Sequence, residues 1–541
     1  MRKTCIELFA GVGGFRCGLN KVSFENGVVK ENGNWQFLWA NQWEPATKTQ
    51  EAYDCYGIRF GYNDLINVDI FEIDKHDIPN HTLLVGGFPC QDYSVAQSLS
   101  TSKGIEGKKG VLWWAIEETL AIKQPPFVLL ENVDRLLKSP ASQRGRDFGV
   151  MLACFNDLGY SVEWRVINAA EYGFSQRRRR IFIFAFKNDT EYAKSINKSN
   201  LRDWIYNKGF FQEEFPIISE NNKLEDKGYS NSIESEQLSI IDSENIVAKE
   251  VAITKEEKID AEELIMEYED IVDISNNFKM EFKNTGIMTN GVIYTEKTIP
   301  KYNGEFTLLK DILETNVDEK YYLDGDEEKL AKWEYLKGAK KIPRTSKSGH
   351  SYIFSEGPLA FPDPIDRPSR TMLTSESSVN RSTHVVRDPQ TNRLRLLTPV
   401  EAERLNGFDD NWTNSGMPEK FRYFCMGNAL VVNLVEKMGQ SIKNIVDNES
   451  IPEKECILFE EIDTREYKQI VSYCEDIIDT FNKISNLTTE SNFNRILDIV
   501  KEYQVDILKS SKQEAIEKMA KNIELVFRNK DNISNEVAIT K

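Results

Sequence analysis

Residues 87–94 read Gly87-Phe88-Pro89-Cys90-Gln91-Asp92-Tyr93-Ser94, and the rest of the chain is organised around them. They follow Leu83-Leu84-Val85, a short apolar run that predicts a buried strand. Cys90 therefore lies just past a strand end, where open α/β sheets bind their ligands. Pro89 restricts the backbone directly before the thiol. The alternative for an isolated cysteine is a buried structural role beside a turn, so other parts of the chain must decide.

The composition excludes several classes of protein. The 541 residues, 40 % hydrophobic and 28 % charged, are ordinary for two or three soluble globular domains. No apolar run reaches the length of a membrane span, and the first residues lack the apolar segment of a secretory signal. The eight cysteines form no CxxC pair and the four histidines form no cluster. We therefore expect no metal, no membrane association and a reducing, cytoplasmic location.

The net charge of −18 is concentrated in two segments. Residues 219–282 carry 18 acidic and 6 basic side chains, and residues 447–541 carry 20 and 13. The remainder is close to neutral and can present a basic face to phosphates. We predict an exposed acidic insert at about 219–282 and an acidic C-terminal extension over 447–541, where apolar residues recur at helical spacing.

A glycine-rich turn follows the first predicted strand. Residues 4–9 favour a strand, and Ala10-Gly11-Val12-Gly13-Gly14-Phe15 leads into a helix from about Arg16. This arrangement suits a nucleotide-type ligand, because glycines allow close approach of the backbone and the N–H groups at the helix start point at the ligand. A plain structural turn is equally compatible with the residues. The spacing differs from GxGxxG, which disfavours an NAD-dependent oxidoreductase.

Polar or aromatic side chains follow the ends of three further predicted strands. Trp43 follows the strand over 35–40 and either stacks on a base or lies in the core. Asp69 either accepts from an exocyclic amine or caps a turn. Glu131 follows the apolar run 127–130, at the same sheet edge as Cys90, and either serves chemistry or caps a helix.

Two further segments carry distinctive residues. Arginines occupy positions 177–180 and adjoin an apolar strand, along which alternation sends Arg178 and Arg180 to one side. Residues 395–401 predict a strand end, a Thr398 N-cap and a helix that begins at Pro399. We predict a further helix that begins near Gly427.

In this order, the segments resemble the signature motifs of the cytosine-C5 DNA methyltransferases. The motifs are Phe9-Ala10-Gly11-Val12-Gly13-Gly14, Gly87-Phe88-Pro89-Cys90-Gln91, Glu131-Asn132-Val133, Gln176-Arg177-Arg178-Arg179-Arg180, Arg395-Leu396-Leu397-Thr398-Pro399-Val400-Glu401 and Gly427-Asn428-Ala429. The resemblance covers about 1–190 and 365–445. It implies an α/β protein: a Rossmann-like S-adenosylmethionine-dependent methyltransferase domain, a smaller target-recognition domain and, from its own pattern, a helical C-terminal extension.

The resemblance also implies a division into domains. Residues 1–190 form the catalytic and cofactor-binding domain, completed by about 415–446. Residues 191–414 form the target-recognition domain, which contains the acidic insert. Residues 447–541 form the extension. Within the target-recognition domain, we expect the base-reading residues at about 300–395, especially between Arg367 and Arg395.

The catalytic roles follow from the family. The Cys90 thiolate would add to C6 of cytosine, and Glu131 would hydrogen-bond N3 and the 4-amino group. Arg178 and Arg180 would hold the O2 side of the base. The target base would flip out of the duplex, and residues 91–110, which contain three glycines, would close over it as a lid.

The resemblance also assigns the cofactor site. We expect the S-adenosylmethionine-binding residues to be Phe9, Gly11, Gly13, Gly14, Gln42, Trp43, Asp69, Ile70, Pro89, Leu112, Asn428 and Ala429. Gln42 stands where the family usually has an acidic residue that binds the ribose, which makes Glu44 a rival. Ala429 stands where the family commonly has serine.

The expected substrate is double-stranded DNA, methylated at C5 of a cytosine within a short specific sequence. We expect a monomer on DNA and a bacterial restriction–modification context, with a cognate restriction endonuclease that need not contact this chain. A tRNA-directed cytosine methyltransferase is the alternative, and an inactive DNA-binding regulator on the same fold is another. The long region between 187 and 395 favours DNA, because it is large enough for a dedicated reading domain.

Overall fold

The computed structural model describes residues 1–45, 47–88, 112–140, 142–198, 200–220, 260–278, 280–323, 327–345, 349, 351–376 and 378–449. Pro89, Cys90 and the predicted lid lie outside the described residues. So do residues 221–259 of the acidic insert and residues 450–541 of the predicted C-terminal extension.

The described residues form twenty strands. They are β1 Thr4–Leu8, β2 Ser23–Glu25, β3 Val28–Lys30, β4 Gln36–Asn41, β5 Leu65–Ile66, β6 Leu83–Gly87, β7 Phe127–Asn132, β8 Tyr160–Asn168, β9 Gln176–Arg177, β10 Arg179–Lys187, β11 Ile217–Ser219, β12 Ala261–Ile265, β13 Thr285–Thr289, β14 Val292–Glu296, β15 Thr298–Pro300, β16 Lys340–Thr345, β17 Ser351–Glu356, β18 Ser369–Arg370, β19 Val385–Arg387 and β20 Leu394–Leu396.

The same residues form twelve α-helices. They are α1 Gly14–Leu19, α2 Glu51–Phe60, α3 Leu112–Lys123, α4 Arg146–Asp157, α5 Glu191–Lys194, α6 Leu201–Asn207, α7 Ile271–Asn277, α8 Leu309–Ile312, α9 Glu327–Lys337, α10 Pro399–Leu405, α11 Glu419–Asn428 and α12 Val432–Asn448. Short 3-10 helices span Ile70–Glu72, Lys75–Asp77, Asp134–Lys138, Ala169–Tyr172 and Glu319–Tyr321. Within this part of the chain, every helix is too short or too polar to cross a lipid bilayer.

A ten-stranded mixed sheet organises the fold. Its strand order is β12-β14-β13-β8-β10-β7-β6-β1-β4-β5. The neighbours from β7 to β5 are parallel, and those from β12 to β7 are antiparallel. Strands β6 and β7 are almost entirely buried, as central parallel strands covered on both faces should be. The predicted α/β class is confirmed.

Alternate residues of the parallel strands supply two apolar cores on opposite faces of the sheet. Leu83 and Val85 of β6 share one core with apolar residues of α1 and α12. Leu84 faces the other way and joins the apolar residues of α3 and α4. The period of two along each strand produces this separation. All parallel strand ends that carry predicted site residues consequently meet at one sheet edge.

The last long helix returns to the first part of the chain. Helix α12 packs directly against α1, where a Cβ on Gly18 would lie 2.6 Å from Cβ of Val435. Glycine thus permits the close approach of the two helices. Before it, α10 begins as predicted: Thr398 Oγ1 accepts from the Glu401 N–H at 3.1 Å, and the Glu401 carboxylate accepts from the Thr398 N–H at 2.9 Å.

The predicted helix start near Gly427 was wrong. Helix α11 ends at Asn428, Ala429 is extended with φ −58° and ψ 151°, and α12 begins at Val432. Gly427 packs on the backbone of residues 373–374, where a Cβ would lie only 2.3 Å from the Thr374 nitrogen. This tertiary contact, which no local pattern reveals, lies at the end of the helix.

Part of the predicted acidic insert is folded. Strand β12 lies at the outer edge of the central sheet, and β13 and β14 continue that sheet beyond β8. Phe278 and Phe282 are buried against α4, with the Phe282 ring 4.9 Å from that of Phe148. Apolar residues at 278–282 therefore anchor a segment whose composition predicted exposure.

Candidate active site

The ends of β6 and β7 lie side by side. Gly87 pairs with Glu131 in parallel register, and a Cβ at Gly87 would lie 3.3 Å from Oε2 of Glu131. Asn132 donates from Nδ2 to the carbonyl oxygen of Phe88 at 3.0 Å. The buried amide thus ties the beginning of the Cys90 loop to the strand that carries Glu131.

Cys90 itself lies outside the described residues. Four of the described cysteines can be assessed as alternative nucleophiles. Burial raises the pKa of these four thiols, which belong to Cys5, Cys17, Cys55 and Cys425. Because the thiolate is the reactive form, these positions are unsuited to nucleophilic attack at neutral pH.

Glu131 and Arg180 meet at the sheet edge, as the predicted site requires. Glu131 is 8 % exposed, and its Oε1 lies 2.7 Å from Nε of Arg180. Arg179 points outward and pairs with Asp134 at 3.2 Å on the surface. Two neighbouring arginines therefore have different partners, in agreement with alternation along β10.

Arg178 is buried and bonded to the backbone of two later segments. It is 1 % exposed and donates to the carbonyl oxygens of Met372 at 3.3 Å, Gly427 at 3.0 Å and Asn428 at 3.2 Å. Burial lowers the pKa of its guanidinium, and the three carbonyl oxygens solvate the charge. This geometry favours a positioning role, in which Arg178 joins the arginine segment to two later parts of the chain.

Sequence reasoning assigned no role to Gln176 or Asn132, although both stand inside quoted motifs. Gln176 is fully buried and donates to the carbonyl oxygen of Leu405 at 3.2 Å, while its own oxygen accepts from the Met372 N–H at 3.0 Å. Each of these amides stands beside charged motif residues at a strand end, and that position in the sequence could have indicated a role in the site. Both amides hold segments of the site together.

The glycine-rich turn has the shape of a ligand cradle. Phe9, Gly11 and Gly13 have φ values of 54°, 57° and 87°, in the left-handed region. A Cβ at Gly11 would meet no atom within 4 Å, so the turn is open on that side. Gly14 instead packs on Leu430, whose Cγ would lie 3.1 Å from an added Cβ. The first glycines therefore shape the cradle, whereas Gly14 permits close packing beneath it.

Gln42 supports this turn. Its Oε1 accepts from the Gly11 N–H at 2.7 Å, and the side chain is buried. The next residue, Trp43, is 37 % exposed at the same strand end. Glu44 is half-buried, and burial raises the pKa of its carboxyl group. The structure thus places the Gln42 oxygen on the backbone and leaves a tryptophan face beside the cradle.

The other predicted cofactor residues lie around this edge in different settings. Asp69 Oδ1 accepts from the Phe71 N–H at 3.1 Å, which caps the turn as its alternative interpretation had it. Ile70 is buried and Leu112, the first residue of α3, is half-buried. Asn428 is exposed and Ala429 half-buried. Pro89 lies outside the described residues.

A buried acid beneath the cradle was not predicted. Glu7 is 1 % exposed in β1, and its Oε2 accepts from the Tyr56 hydroxyl at 3.2 Å. Burial raises the pKa of Glu7 to about 8. The alternating apolar pattern of β1 could have drawn attention to a charged residue at a core position.

A family profile described as C-5 cytosine-specific DNA methylase matches residues 3–444. The chain belongs to this family. Type II methyltransferase M.Sau3AI of Staphylococcus aureus is 50 % identical over 442 residues, which cover 81 % of this chain and 95 % of that protein. Type II methyltransferase M.NgoBI of Neisseria gonorrhoeae is 36 % identical over 189 residues, 35 % of this chain and 52 % of the other. The S. pombe Dnmt2 methyltransferase structure is 15 % identical, covers 82 % of this chain and 99 % of its own, and has a TM-score of 0.45.

The enzyme transfers a methyl group from S-adenosylmethionine to C5 of cytosine in DNA. This confirms the predicted activity and methyl donor over the tRNA-directed and inactive alternatives. The open glycine turn and the exposed Trp43 fit such a ligand, because they offer space beside the backbone and an aromatic side chain at adjacent strand ends.

Proposed function

We propose that this methyltransferase acts on a cytosine within a short specific sequence of duplex DNA and uses Cys90 as the nucleophile. The observation that carries the site assignment is the contact between Glu131 and Arg180, beside the strand end that leads to Cys90. Phe88 is tied to Asn132, and Cys90 follows two residues later. Covalent geometry limits the distance between the Cα atoms of two residues so close in sequence to roughly 7 Å.

In the proposed reaction, the Cys90 thiolate forms a bond from Sγ to C6 of cytosine, and C5 becomes enamine-like. C5 then forms a bond to the methyl carbon that S-adenosylmethionine supplies. The bond from that carbon to the sulfonium sulfur breaks, its electron pair stays on sulfur, and the neutral thioether S-adenosylhomocysteine leaves. A base removes the proton from C5. The electron pair of that C–H bond restores the C5–C6 double bond and expels the Cys90 thiolate. The target must leave the base stack to be reached, so base flipping forms part of the proposal.

Glu131 supports the attack at the N3 and 4-amino edge of the base. Its carboxylate accepts from the 4-amino group and stabilises N3 in its protonated form as electron density shifts to N3. Arg180, 2.7 Å from that carboxylate, holds its orientation and approaches the O2 side of the base. Arg178 acts indirectly, through the carbonyl oxygens that it binds on residues 372, 427 and 428.

The proposed cofactor site uses the open part of the glycine turn for the methionine end. Trp43 stacks on the adenine, and Asp69 accepts from its amino group. Since Gln42 Oε1 is bonded to the Gly11 N–H, Glu44 is the better candidate for the ribose hydroxyls. The remaining proposed contacts come from Ile70, Pro89, Leu112, Asn428 and Ala429.

We further propose a monomer on DNA, within a restriction–modification system whose endonuclease need not contact this chain. The type II methyltransferase relatives support this context. A cytoplasmic location is proposed because bacterial DNA lies in that compartment. The division into 1–190 with 415–446, 191–414 and 447–541 is part of the same proposal.

Duplex DNA that carries 5-fluorocytosine at the methylated position tests the nucleophile. Fluorine does not leave C5 as a proton does, so a covalent adduct should accumulate, and peptide mapping should place it on Cys90. Cys90→Ala should form no adduct while it retains S-adenosylmethionine binding. An adduct on any other cysteine would overturn the assignment.

A further inference from the structure

Strands β16 and β17 form a two-stranded ribbon outside the central sheet. Their residues pair only with each other among the described strands, from Lys340 opposite Glu356 to Thr345 opposite Ser351. None of the twelve residues is buried, and Ile353 is 67 % exposed. A two-stranded ribbon gains little stability from its own pairing in water, and exposed side chains such as Ile353 make this one a candidate for contact with a partner.

The strand register assigns the side chains of the ribbon to two faces. Directly opposite residues share a face, and successive residues alternate. The exposed face, as we term it, carries Lys341, Pro343, Thr345, Ser351, Ile353 and Ser355, all of them exposed. The other face includes four half-buried residues, Lys340, Ile342, Phe354 and Glu356. The exposed face therefore has hydroxyl groups, one ammonium group and one large apolar side chain available to a partner.

The charge of the ribbon matches a polyanion. The two strands carry three basic side chains, those of Lys340, Lys341 and Arg344, and one acidic side chain, that of Glu356. Glu356 pairs with Lys340 at 3.9 Å, and of the three basic residues Lys341 lies on the exposed face. The Arg344 guanidinium lies 4.0 Å from the centre of the Phe354 ring, so its orientation is supported by a side chain of the ribbon itself. Phosphates would be attracted to the basic side chains of the ribbon.

The ribbon is held at its base. Arg381 donates to the carbonyl oxygens of Leu336 at 3.0 Å and Gly338 at 3.1 Å, just before β16, and to that of Gly357, just after β17. One guanidinium thus bridges both ends of the ribbon. The Leu359 N–H also donates to the Lys337 carbonyl oxygen at 2.8 Å. A ribbon that is anchored at both ends can present its side chains in a defined register.

Three of the arginines between Arg367 and Arg395, the range favoured from sequence, are bound to carboxylates. Arg370 binds Asp363 through Nε at 2.5 Å, and Arg395 is fully buried between Asp388 and Glu401. Arg393 pairs with Glu319 at 2.8 Å. These internal partners compete with any base edge for the same donors.

We propose that the exposed face of the β16–β17 ribbon enters the major groove of the substrate duplex and determines which sequence is methylated. The major groove accommodates a two-stranded ribbon. Lys341, Thr345, Ser351 and Ser355 hydrogen-bond base edges or nearby phosphates, and Ile353 contacts an apolar C5 position or methyl group of a pyrimidine. Arg381 is a positioning residue that sets the angle of the ribbon. This inference rests on the proposed duplex substrate.

Ile353→Ala tests the central contact, with Ile265→Ala as the matched control. Ile265 is 62 % exposed on β12, at the outer edge of the central sheet, so both variants lose an exposed isoleucine from a strand. Bisulfite sequencing of DNA methylated by each protein gives the site preference. We expect Ile353→Ala to lose about 10-fold or more in kcat/KM for the preferred site and to relax one base position. Ile265→Ala should behave as the parent enzyme.

Two further variants separate the roles. Lys341→Gln should lower the slope of log affinity against log salt by about 1 if Lys341 contacts a phosphate, or relax one base if it contacts a base edge. Arg381→Ala should raise KM for DNA and broaden the methylated set, with kcat at saturating DNA retained. Arg381→Lys should be intermediate, because an ammonium cannot span both ends of the ribbon as a guanidinium does.

Unchanged site preference and rate in Ile353→Ala would overturn the proposal. So would light scattering that shows Ile353→Asp dissociating a dimer without altering the preference, since the ribbon would then join two copies of the chain. The proposal would also fail if the methylated sequence changed only after removal of residues 450–541, because that segment and not the ribbon would then determine the site preference. The fluorocytosine adduct remains a separate measure of chemistry, so a failure here leaves the Cys90 assignment intact.

Discussion

Arg180 places its Nε 2.7 Å from Oε1 of Glu131, across the boundary between β10 and β7. The two strands are antiparallel, and Phe182 is the residue that pairs with Glu131. Arg180 therefore reaches back from a position nearer the sheet edge. This contact brings together a cation and an anion from motifs about fifty residues apart in sequence, and it gives the proposed active site its charge pattern.

Glu131→Gln should reduce kcat by roughly 10²–10⁴. The amide keeps the shape of the side chain, but it lacks the negative charge that stabilises the protonated N3 of the base. The measurement is single-turnover methylation of duplex DNA, with S-adenosylmethionine binding assayed separately and expected to persist. Asp134→Asn is the matched control, since Asp134 pairs with Arg179 on the surface at 3.2 Å. Near-normal turnover in Glu131→Gln would reduce Glu131 to a structural residue.

Arg178→Lys should destabilise the fold by about 2–4 kcal/mol, because an ammonium cannot reproduce the three carbonyl contacts of the buried guanidinium. Urea unfolding monitored by fluorescence provides the free energy. Arg180→Lys should have the opposite profile, with nearly normal stability and a reduced kcat. If Arg178→Lys were stable but inactive, the direct catalytic role implied by the family resemblance would be restored.

Glu7→Gln should change the pH dependence of stability. Burial raises the pKa of Glu7 from 4.5 to about 8, so between these values the folded protein holds a proton that the unfolded chain releases. The contribution of Glu7 to the free energy of unfolding is therefore fully present below pH 4.5 and is lost as the pH rises toward 8. Relative to the parent, Glu7→Gln should gain stability between pH 5 and pH 8. Urea unfolding at several pH values across this range gives the free energy of unfolding as a function of pH. The curve of the control, Glu72→Gln at an exposed position, should run parallel to that of the parent, whereas the curve of Glu7→Gln should not.

Arg395→Met should cost about 3–5 kcal/mol, because it leaves two buried carboxylates without their cation. Arg395 binds Glu401 at 2.7 Å and Asp388 at 2.8 Å in a fully buried network. Arg393→Met is the control, because its partner Glu319 is exposed and their ion pair should be worth less than about 1 kcal/mol. The folded fraction of Arg395→Met should methylate the same sequence as the parent. A changed sequence would return Arg395 to the base-reading set.

Several features could be predicted from the residues alone, because they depend on local chemistry. The apolar runs at 83–85 and 127–130 are buried strands, the Thr398–Glu401 pair forms the predicted capping box, and alternation separates Arg179 from Arg180. The ordered motifs also identified the family. Each of these signals is carried by residues close together in the chain, or by motif order.

Other features depended on contacts between distant segments. Local pattern could not show that Arg178 donates hydrogen bonds to the carbonyl oxygens of Met372, Gly427 and Asn428. It also could not show that Gln42 accepts from the Gly11 N–H. Nor could acidic composition show that β12 extends the central sheet, since the apolar anchor lies at residues 278–282.

The sequence by itself determined the fold class, the family and the residues at the strand ends, because periodicity and motif chemistry are local properties. Only the tertiary structure decided which of those residues face each other and which form hydrogen bonds within the protein. The physical reason is that a buried donor must find an acceptor wherever the fold supplies one. The Arg178 guanidinium finds its acceptors on Met372 and Gly427, which are 194 and 249 residues away in sequence. The Glu131 carboxylate finds its cation on Arg180, in the neighbouring strand of the sheet.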